Sequence, residues 1–314
     1  SEYWDTLSPN AQVTRLSGLK VWAEYLCEVT GGASCYEVEE LRTTPEAWQG
    51  ATYGLVKGFK LWQGVKGFSV ATINSRLTTV RVFCRLAATA GAINEDESSR
   101  IATVKGYSLK TGANLDENRA TVRVGAKKAA HVPLKRAQAI ELMKHPDTPQ
   151  GRRDAVLMTL LLDHGLRVGE IARLQAADVD LVTGQLRFFR PKSKKWATIE
   201  LTKRALDALT SYMQDSPLIG ALLRSSNKAG RLGAVGMSER AIQERVGVLG
   251  ARVGVAGLSP HDCRHYAATF YAGKKVDTLR LMEMFGWNSP AMARRYVEET
   301  MIANEGTKHL AGDD

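Results

Sequence analysis

The sequence predicts a mainly α-helical protein of two domains, the second of which carries a small antiparallel β-sheet. Three observations support this fold class. The first 110 residues place apolar side chains at helical spacing, residues 111–131 have the polar composition of an exposed connector, and two later segments alternate polar and apolar residues. A chain of 314 residues also suits two domains of ordinary size. We therefore predict domains at residues 1–110 and 132–314, joined by a linker at 111–131.

The first domain is predicted to be a bundle of four short helices. Gln12–Val29 has apolar residues at helical spacing and is followed by two glycines that stop it. A second helix is expected over Pro45–Gln63, because proline suits the first turn of a helix. The third and fourth helices are expected over Ser69–Ala90 and Glu97–Tyr107, which completes a compact helical domain.

The second domain is predicted to be mostly helical with one β-hairpin. Arg153–Leu162 is an apolar-rich helix that ends before a glycine, and a new helix begins near Arg167. Gln185–Phe189 and Ala197–Leu201 alternate as strands do, and the loop between them is rich in lysine. Further helices are predicted over Lys203–Met213, Ser238–Val253, His261–Ala272, Val276–Phe285 and Ala291–Glu305.

The charge of the chain points to a polyanionic partner. The 43 Lys and Arg residues exceed the 33 Asp and Glu residues, so the formal net charge is +10 and the surface attracts nucleic acid. The segment 51–94 contains six basic residues and no acid, and its alternative interpretation is a solvated helix surface. The side chains expected to contact DNA there are Lys57, Lys60, Arg76, Arg81 and Arg85.

Two further features narrow the class of protein. The four cysteines form no Cys-x-x-Cys pair, so we expect a reduced, intracellular chain. No apolar run is long enough to span a bilayer and no signal peptide is recognisable, so no membrane partner is expected. The chain begins at Ser1 rather than at a methionine, and we expect that an upstream segment has been removed.

Two histidines flank an arginine in the segment HDCRHY, which directly follows the turn-forming Leu258–Pro260. Such residues could form a metal site, a nucleophile with its base, or a clamp for a phosphate. A zinc site would need further cysteines or acids at partner spacing, which this region does not supply. A guanidinium is a permanent cation whose forked donors match phosphate oxygens. A phosphate clamp is therefore favoured, and phosphoryl transfer would further require a nucleophile and an acid for the leaving oxygen.

Five segments in the second domain resemble the tyrosine recombinase, or phage integrase, family. They are HGLRVGEIARL (His164–Leu174), the loop lysine Lys192, LSPHDCRHYAATF (Leu258–Phe270), GWNS (Gly286–Ser289) and Tyr296. Their order is that of the family, and the spacings between them are close to those of its Xer-type members. The resemblance covers about Val132 to Tyr296, and Thr72–Ala87 is similar, more weakly, to a helix of the family's core-binding domain.

This resemblance implies a fold, an activity and partners. The fold would be an N-terminal helical core-binding bundle of the SAM-like type, followed by a catalytic domain with the DNA breaking-rejoining enzyme fold. The activity would be site-specific recombination, in which DNA strands are cleaved and rejoined through a 3′-phosphotyrosyl intermediate and a Holliday junction, without a metal or any other cofactor. The partners would be double-stranded DNA with a specific recombination site and a homotetramer joined through the C-terminal tail. The location would be cytoplasmic and nucleoid-associated.

The resemblance also implies roles for individual side chains. Tyr296 would attack the scissile phosphate, while Arg167 and Arg264 would hold its nonbridging oxygens. His261 would help to take the tyrosine proton. Lys192 would protonate the leaving 5′-oxygen, with a contact to the DNA backbone as the alternative.

One position departs from the commoner family pattern. Many members have histidine where Trp287 stands, although Cre and Flp have tryptophan. Indole donates a hydrogen bond but cannot exchange its proton, so the acid has to come from elsewhere, and the resemblance implies Lys192 of the hairpin loop. Lys194 and Lys195 are the rivals of Lys192 for that role and are otherwise expected to contact DNA. Trp287 is expected to form a wall of the active site, with a core aromatic as the alternative.

Two further residues are expected to support the site. Glu170, three residues after Arg167, would hold that guanidinium by a charge-assisted hydrogen bond, with a plain surface acid as the alternative. His265 is expected to give structural support. Other interpretations remain for the whole chain: a type IB topoisomerase, which has lysine in place of His261 and histidine in place of Trp287, or a catalytically silent DNA-binding protein.

Overall fold

The computed structural model of the chain describes residues 2–108, 111, 132–214 and 219–300. The chain divides into two compact units, Ser1–Ala129 and Ala130–Asp314, hereafter the first and the second unit. Both consist mainly of α-helices and the second also has two small antiparallel sheets, which confirms the predicted fold class. In the described parts, no helix has the length and apolar character needed to cross a bilayer. The predicted linker lies outside the described residues, except for Thr111.

The first unit is a bundle of helices with an aromatic core. Its helices are α1 (Glu2–Asp5), α2 (Pro9–Val29), α3 (Val38–Thr43), a 3-10 helix (Pro45–Trp48), α4 (Tyr53–Val65), α5 (Val70–Thr89) and α6 (Glu95–Ala102). Ser8 and Ser69 cap α2 and α5 by accepting backbone N–H bonds through their hydroxyl oxygens. In the core, Trp22 stacks on Trp48 with ring centroids 6.0 Å apart, and Phe59 meets Trp22 edge-on at 5.0 Å.

Two predicted helices of the first unit have different bounds in the structure. The single helix expected over Pro45–Gln63 was wrong, because the 3-10 helix ends well before α4 begins. Gly50 has a left-handed φ of 81°, and Thr52 caps the first turn of α4, so the chain turns between the two helices. The helix expected over Glu97–Tyr107 is α6, which starts earlier because Asn94 caps it, and which also ends earlier.

The cysteines correct another expectation. Cys27, in the last turns of α2, is joined to Cys35 by a disulfide, with their Cα atoms 4.5 Å apart. The turn that ends α2 reverses the chain and brings the two residues together, although their spacing follows no familiar cysteine motif. Cys84 and Cys263 are free and buried. The expectation that all cysteines are reduced is therefore wrong for the Cys27–Cys35 pair.

The second unit contains eight described helices of the α type and five strands. They are α7 (Arg136–Leu142), α8 (Pro149–Leu162), α9 (Val168–Ile171), β1 (Val179–Asp180), β2 (Gln185–Arg190), β3 (Lys195–Glu200), α10 (Lys203–Met213), β4 (Arg224–Ser226), β5 (Leu232–Gly236), α11 (Glu239–Arg252), α12 (Pro260–Gly273), α13 (Thr278–Phe285) and α14 (Pro290–Thr300). A 3-10 helix (Ala176–Asp178) precedes β1. The strands form a sheet of order β1-β2-β3 and a separate pair, β4-β5.

The predicted hairpin is present as β2 and β3, which pair antiparallel with Phe189 opposite Trp196. The sequence did not predict α7, β1, β4 or β5. The pair β4-β5 has short strands with serine and glycine, which lack the alternation that marks a strand. The helix predicted over Ala291–Glu305 begins at Pro290, and its part beyond residue 300 lies outside the described residues.

The core of the second unit surrounds α8, which directly precedes the segment that contains Gly165 and Arg167. Every residue of the run 156–162 in α8 is buried, because other helices pack around it. Gly165 and Arg167 lie three and five residues after the buried C-terminal end of α8. A smaller apolar cluster joins α12, α13 and α14 and includes Phe285 and Tyr296. The two clusters therefore hold the segments that the sequence singles out.

Candidate active site

A cavity of about 500 Å³ in the second unit collects the predicted catalytic side chains. The six that line it are Arg167, Lys192, His261, Arg264, Trp287 and Tyr296. They belong to separate parts of the chain: the start of α9, the hairpin loop, the first turns of α12, the turn after α13, and α14. The structure thus brings together residues that are up to 129 positions apart in the sequence.

The start of α12 presents His261 and Arg264 to the cavity. Ser259 and Asp262 form a capping box, in which the backbone N–H and the hydroxyl of Ser259 donate to Asp262 Oδ2 at 2.9 and 2.5 Å. Asp262 and Cys263 are fully buried, whereas His261 is exposed. Because His261 and Arg264 are three positions apart, they lie on one face of the helix. Asp262 and His261, although adjacent in the sequence, therefore lie in different surroundings.

Arg264 is held between two backbone carbonyl oxygens. Its Nη1 donates to the oxygen of Gly165 at 2.6 Å and its Nη2 donates to that of Phe285. Gly165 has φ of 60°, and a Cβ there would collide with the ring of Phe285. Only glycine therefore lets the backbone at residue 165 lie this close to Phe285. Burial lowers the pKa of Arg264, and the charge of Arg167 acts in the same direction. A phosphate in the cavity would relieve this repulsion between two cations.

Arg167 is oriented by Glu170 and by the turn after α13. Its backbone N–H and its Nη1 donate to the two carboxylate oxygens of Glu170 at 2.8 and 2.9 Å, and its Nη2 donates to the carbonyl oxygen of Gly286 at 3.0 Å. Glu170 is 2% exposed, so it is a buried partner of the guanidinium and not a plain surface acid. Two nitrogens of the Arg167 guanidinium are thereby bonded to other residues, which restricts its orientation.

Trp287 stacks between two aromatic rings. Its ring lies 5.1 Å from that of Tyr296, with the planes only 7° from parallel, and 4.8 Å from that of Phe285. His265, four positions after His261, meets Tyr296 edge-on at 4.8 Å. Trp287 is thus both a wall of the cavity and part of the apolar cluster, and Tyr296 is 6% exposed while it lines the cavity.

The three lysines of the hairpin loop lie in different places. Lys192 lines the cavity with the two arginines. Lys194 has a left-handed φ of 52° at the tip, and Lys195 is the first residue of β3 and lines a neighbouring groove instead. The described geometry therefore places Lys192 at the cavity and Lys195 beside another surface.

The basic residues predicted to bind DNA in the first unit have individual surroundings. Lys57 and Arg85 are exposed. Lys60 Nζ donates to the carbonyl oxygen of Lys105 at 3.0 Å, and Arg81 Nη2 donates to that of Ala102 at 2.8 Å. The half-buried guanidinium of Arg76 lies 4.2 Å over the ring of Phe68. Lys57 Nζ also lies 5.7 Å from the centroid of the Tyr53 ring, so four of the five cations have a contact within the unit. Contact of the five with DNA stays a prediction.

Sequence reasoning missed two residues at the site. Asp262 carries the capping box, and a serine followed three residues later by an acid is a signal that could have identified it. Arg190, at the end of β2, is 4% exposed and lies 3.8 Å from Glu170. Its position in the lysine-rich segment predicts a solvated cation, and the inward turn of its side chain depends on the strand register.

Comparisons with known proteins identify a family and several relatives. Residues 133–302 match the model of the phage integrase family. The chain is 31% identical over 154 residues to the tyrosine recombinase XerC of Haemophilus ducreyi, which covers 48% of this chain and 49% of the relative. It is 25% identical over 276 residues to the tyrosine recombinase XerC of Bifidobacterium longum, which covers 82% of this chain and 76% of that protein. The chain thus spans about half the length of the first relative.

Solved structures share the fold. The Tn1549 transposon integrase in complex with circular intermediate DNA aligns with a TM-score of 0.58 and 15% identity, over 93% of this chain and 99% of that one. The XerH site-specific recombinase bound to its difH substrate aligns with a TM-score of 0.54 and 17% identity, over 79% of this chain and 68% of that one. Since the family model matches more than half of its residues, the chain belongs to the phage integrase family.

Proposed function

We propose that the chain is a site-specific tyrosine recombinase, which cleaves and rejoins DNA strands through a 3′-phosphotyrosyl intermediate. One observation carries this proposal: Arg167, Arg264 and Tyr296 line a single cavity together with His261 and Lys192. The set combines a nucleophile, two permanent cations, a proton acceptor and a proton donor, which are the groups that transfer of a phosphodiester to a phenol requires.

In the proposed cleavage step, the phenol oxygen of Tyr296 attacks the scissile phosphorus and the bond from phosphorus to the 5′-oxygen breaks. The phenol proton passes to His261, whose imidazole is of a type that exchanges protons near neutral pH. The leaving 5′-oxygen takes a proton from Lys192. The products are a 3′-phosphotyrosyl bond and a free 5′-hydroxyl, so the phosphodiester energy is kept for rejoining.

Positive charge makes this step possible at neutral pH. A phenol has an ordinary pKa of about 10 and is a weak nucleophile while it is protonated. Ionised Tyr296 would raise the pKa of Arg264, and by the same coupling the Arg264 cation favours the phenolate. Arg167 and Arg264 would also bind the two nonbridging oxygens and offset the negative charge that grows in the transition state.

Strand exchange follows if the 5′-hydroxyl that attacks the phosphotyrosine comes from a second duplex. Two such exchanges produce and then resolve a Holliday junction, with four copies of the chain on two duplexes. We assign the contacts between copies to the tail after Tyr296, whose residues 301–314 lie outside the described residues. Deletion of residues 301–314 is expected to abolish assembly on two duplexes while cleavage within one copy survives, and unchanged assembly would refute this role of the tail.

The cleavage chemistry can be tested on a target sequence that the protein itself selects. Duplexes bound by the Tyr296→Phe variant are selected from a random-sequence library, and the selected sequence is rebuilt with a nick beside the scissile position so that the 5′-hydroxyl fragment diffuses away. Wild-type protein is expected to form a protease-sensitive adduct with the strand labelled upstream of the cut, and Tyr296→Phe is expected to form none. Absence of the adduct with wild-type protein would refute cleavage and leave a DNA-binding protein.

The same selected sequence separates recombination from topoisomerase activity. Two linear duplexes of different length that carry this sequence are expected to yield products of two new lengths. Relaxation of a supercoiled plasmid without such products would identify a nicking-closing enzyme of the type IB topoisomerase class instead.

A further inference from the structure

Three arginine side chains meet at the carboxyl end of α13. Arg190 Nη2 donates to the carbonyl oxygens of Glu283 and Met284 at 3.2 and 2.8 Å. The next two carbonyl oxygens along the chain accept from the Nη2 atoms of Arg264 and Arg167. The last carbonyl groups of a helix have no partners within the helix and carry partial negative charge, so they are suited to bind cations.

Arg190 differs from the other two arginines in its access to the cavity. Strand β2 alternates exposed and buried residues, and Arg190 lies on its inward face with Leu186 and Phe188. Its guanidinium is 4.8 Å from the ring of Phe188 and lines the groove beside β3, whereas Arg167 and Arg264 line the catalytic cavity. Arg190 would therefore not contact a phosphate held by Arg167 and Arg264, and it could affect that phosphate only through other residues.

The guanidinium of Arg190 is buried among charged groups. Among the residues that the structure describes, its Nη1 has no hydrogen-bond acceptor, and the Glu170 carboxylate is 3.8 Å away. Burial lowers the pKa of Arg190, the charge of Glu170 opposes this effect, and the charge of Arg167 adds to it. A buried donor without an acceptor costs free energy, and a role in holding neighbouring groups in place accounts for keeping such a donor.

Two links connect Arg190 to the reacting groups. Glu170 lies between the guanidiniums of Arg190 and Arg167, so both arginines act on one carboxylate. The second link is covalent, since Arg190 ends β2 and Lys192 follows two residues later in the loop. The guanidinium of Arg190 therefore ties the root of the lysine loop to the same helix end that holds Arg167 and Arg264.

We propose that Arg190 is a positioning residue that sets the location of Lys192 relative to the two phosphate-binding arginines. This inference rests on the proposed recombinase function, in which Lys192 protonates the leaving 5′-oxygen. Without the Arg190 anchor, the end of β2 is free to move away from α13, and the acid loses its alignment with the oxygen. Misplacement of a catalytic group by about 1 Å can cost about 100-fold in rate.

The test compares Arg190→Met, which keeps the length and removes the donors, with Arg187→Met as the matched control. Arg187 is an exposed arginine on the outward face of the same strand, over the ring of Trp196. Cleavage of a nicked substrate with an ordinary phosphodiester is expected to slow by about 100-fold in Arg190→Met. Affinity for the same DNA is expected to change less than about twofold, because Arg190 does not line the cavity, and Arg187→Met is expected to cleave at nearly the wild-type rate.

A second substrate separates positioning of the acid from a general loss of structure. Replacement of the bridging 5′-oxygen by sulfur provides a leaving group that departs without protonation, so a defect in the acid disappears. Arg190→Met is expected to recover to within about fivefold of wild type on this substrate, as Lys192→Ala should, while Arg167→Ala stays slow. Should Arg190→Met prove unfolded by its melting temperature, Arg190→Lys, which keeps one cation, is measured in the same way and is expected to recover likewise.

Two outcomes would overturn the inference. One is a wild-type cleavage rate in a folded Arg190 variant. The other is a defect of equal size on the ordinary phosphodiester and on the substrate with a bridging sulfur. Either result, obtained while wild-type protein forms its Tyr296-dependent adduct, leaves the proposed recombinase function intact. A wild-type protein that forms no adduct on either substrate refutes the function and this inference together.

Discussion

The indole of Trp287 and the phenol of Tyr296 are stacked with their ring centroids 5.1 Å apart and their planes within 7°. Trp287 in turn lies on Phe285, so three rings form a continuous stack that ends at the proposed nucleophile. A stacked ring can slide but not tilt without losing its contact, which restricts the direction of the phenol oxygen. The stack is thus a means of aiming Tyr296 that needs no hydrogen bond from the indole.

Trp287→Phe and Trp287→Ala should separate aiming from chemistry. The phenylalanine variant keeps a ring against Tyr296, whereas alanine removes it, and an aromatic pair contributes about 0.5–1.5 kcal/mol beyond the area that it buries. We expect single-turnover cleavage to fall by less than about tenfold in Trp287→Phe and by more than that in Trp287→Ala. Equal rates in the two variants would show that the stack does not aim the tyrosine.

Anions should stabilise the second unit through the two cavity arginines. Burial and the neighbouring charge of Arg167 lower the pKa of Arg264, so an anion bound between them favours the folded state. We expect sodium sulfate to raise the melting temperature by about 2–4 °C over sodium chloride of equal ionic strength. The rise should be smaller in Arg167→Ala, which keeps only the general stabilising effect of sulfate, and should persist in full in Arg240→Ala, which removes an exposed arginine that is paired with Glu244. Equal rises in both variants would contradict a specific anion site.

His164 should make the stability depend on pH below neutrality. Burial lowers the pKa of His164 to about 4, although the charge of Asp163 opposes this, and Nε2 of His164 accepts the backbone N–H of Thr202 at 3.2 Å. In the unfolded chain, His164 takes up a proton near pH 6.5, whereas in the folded chain it stays neutral down to about pH 4. The contribution of His164 to the free energy of unfolding is therefore complete above pH 6.5 and is lost as the pH falls towards 4. The loss between pH 7 and pH 5 is about 2 kcal/mol.

Urea unfolding of wild type and His164→Gln at the two pH values measures this effect. Glutamine can accept the same hydrogen bond but does not titrate, so the variant is expected to lose about 2 kcal/mol less than wild type on acidification. Identical losses in the two proteins would mean that the His164 side chain is not the group that responds.

A side chain at Gly286 should destabilise the turn after α13. It has φ of 57°, and a Cβ there would collide with the guanidinium of Arg190. Gly257→Ala is the matched control, because Gly257 has φ of 72° but no atom within 4 Å of an added Cβ. Gly286→Ala should therefore lower the free energy of unfolding by about 1–3 kcal/mol more than Gly257→Ala does. Equal losses in the two variants would show that the turn relaxes away from Arg190 at little cost.

Local sequence patterns were sufficient for most elements because their causes are local. Ser69 caps α5 where the predicted helix begins, and α10 has its predicted bounds, since Thr202 caps it. The patterns failed at Pro45–Gln63, where the proline that suits a first turn starts only a short 3-10 helix and Gly50 then turns the chain. The pairing of β4 with β5 was missed because short, glycine-containing strands derive their stability from tertiary contacts.

The sequence by itself determined which side chains are expected at the site, because each stands in a recognisable segment: Arg167, Lys192, His261, Arg264, Trp287 and Tyr296. Only the tertiary structure decided how they are held. The carbonyl oxygens at the end of α13 belong to the backbone, which no residue letter reveals, and they bind three guanidiniums from distant elements. Arg190 looks like one more loop cation in the sequence, and only the pairing register of β2 turns it inward to that helix end.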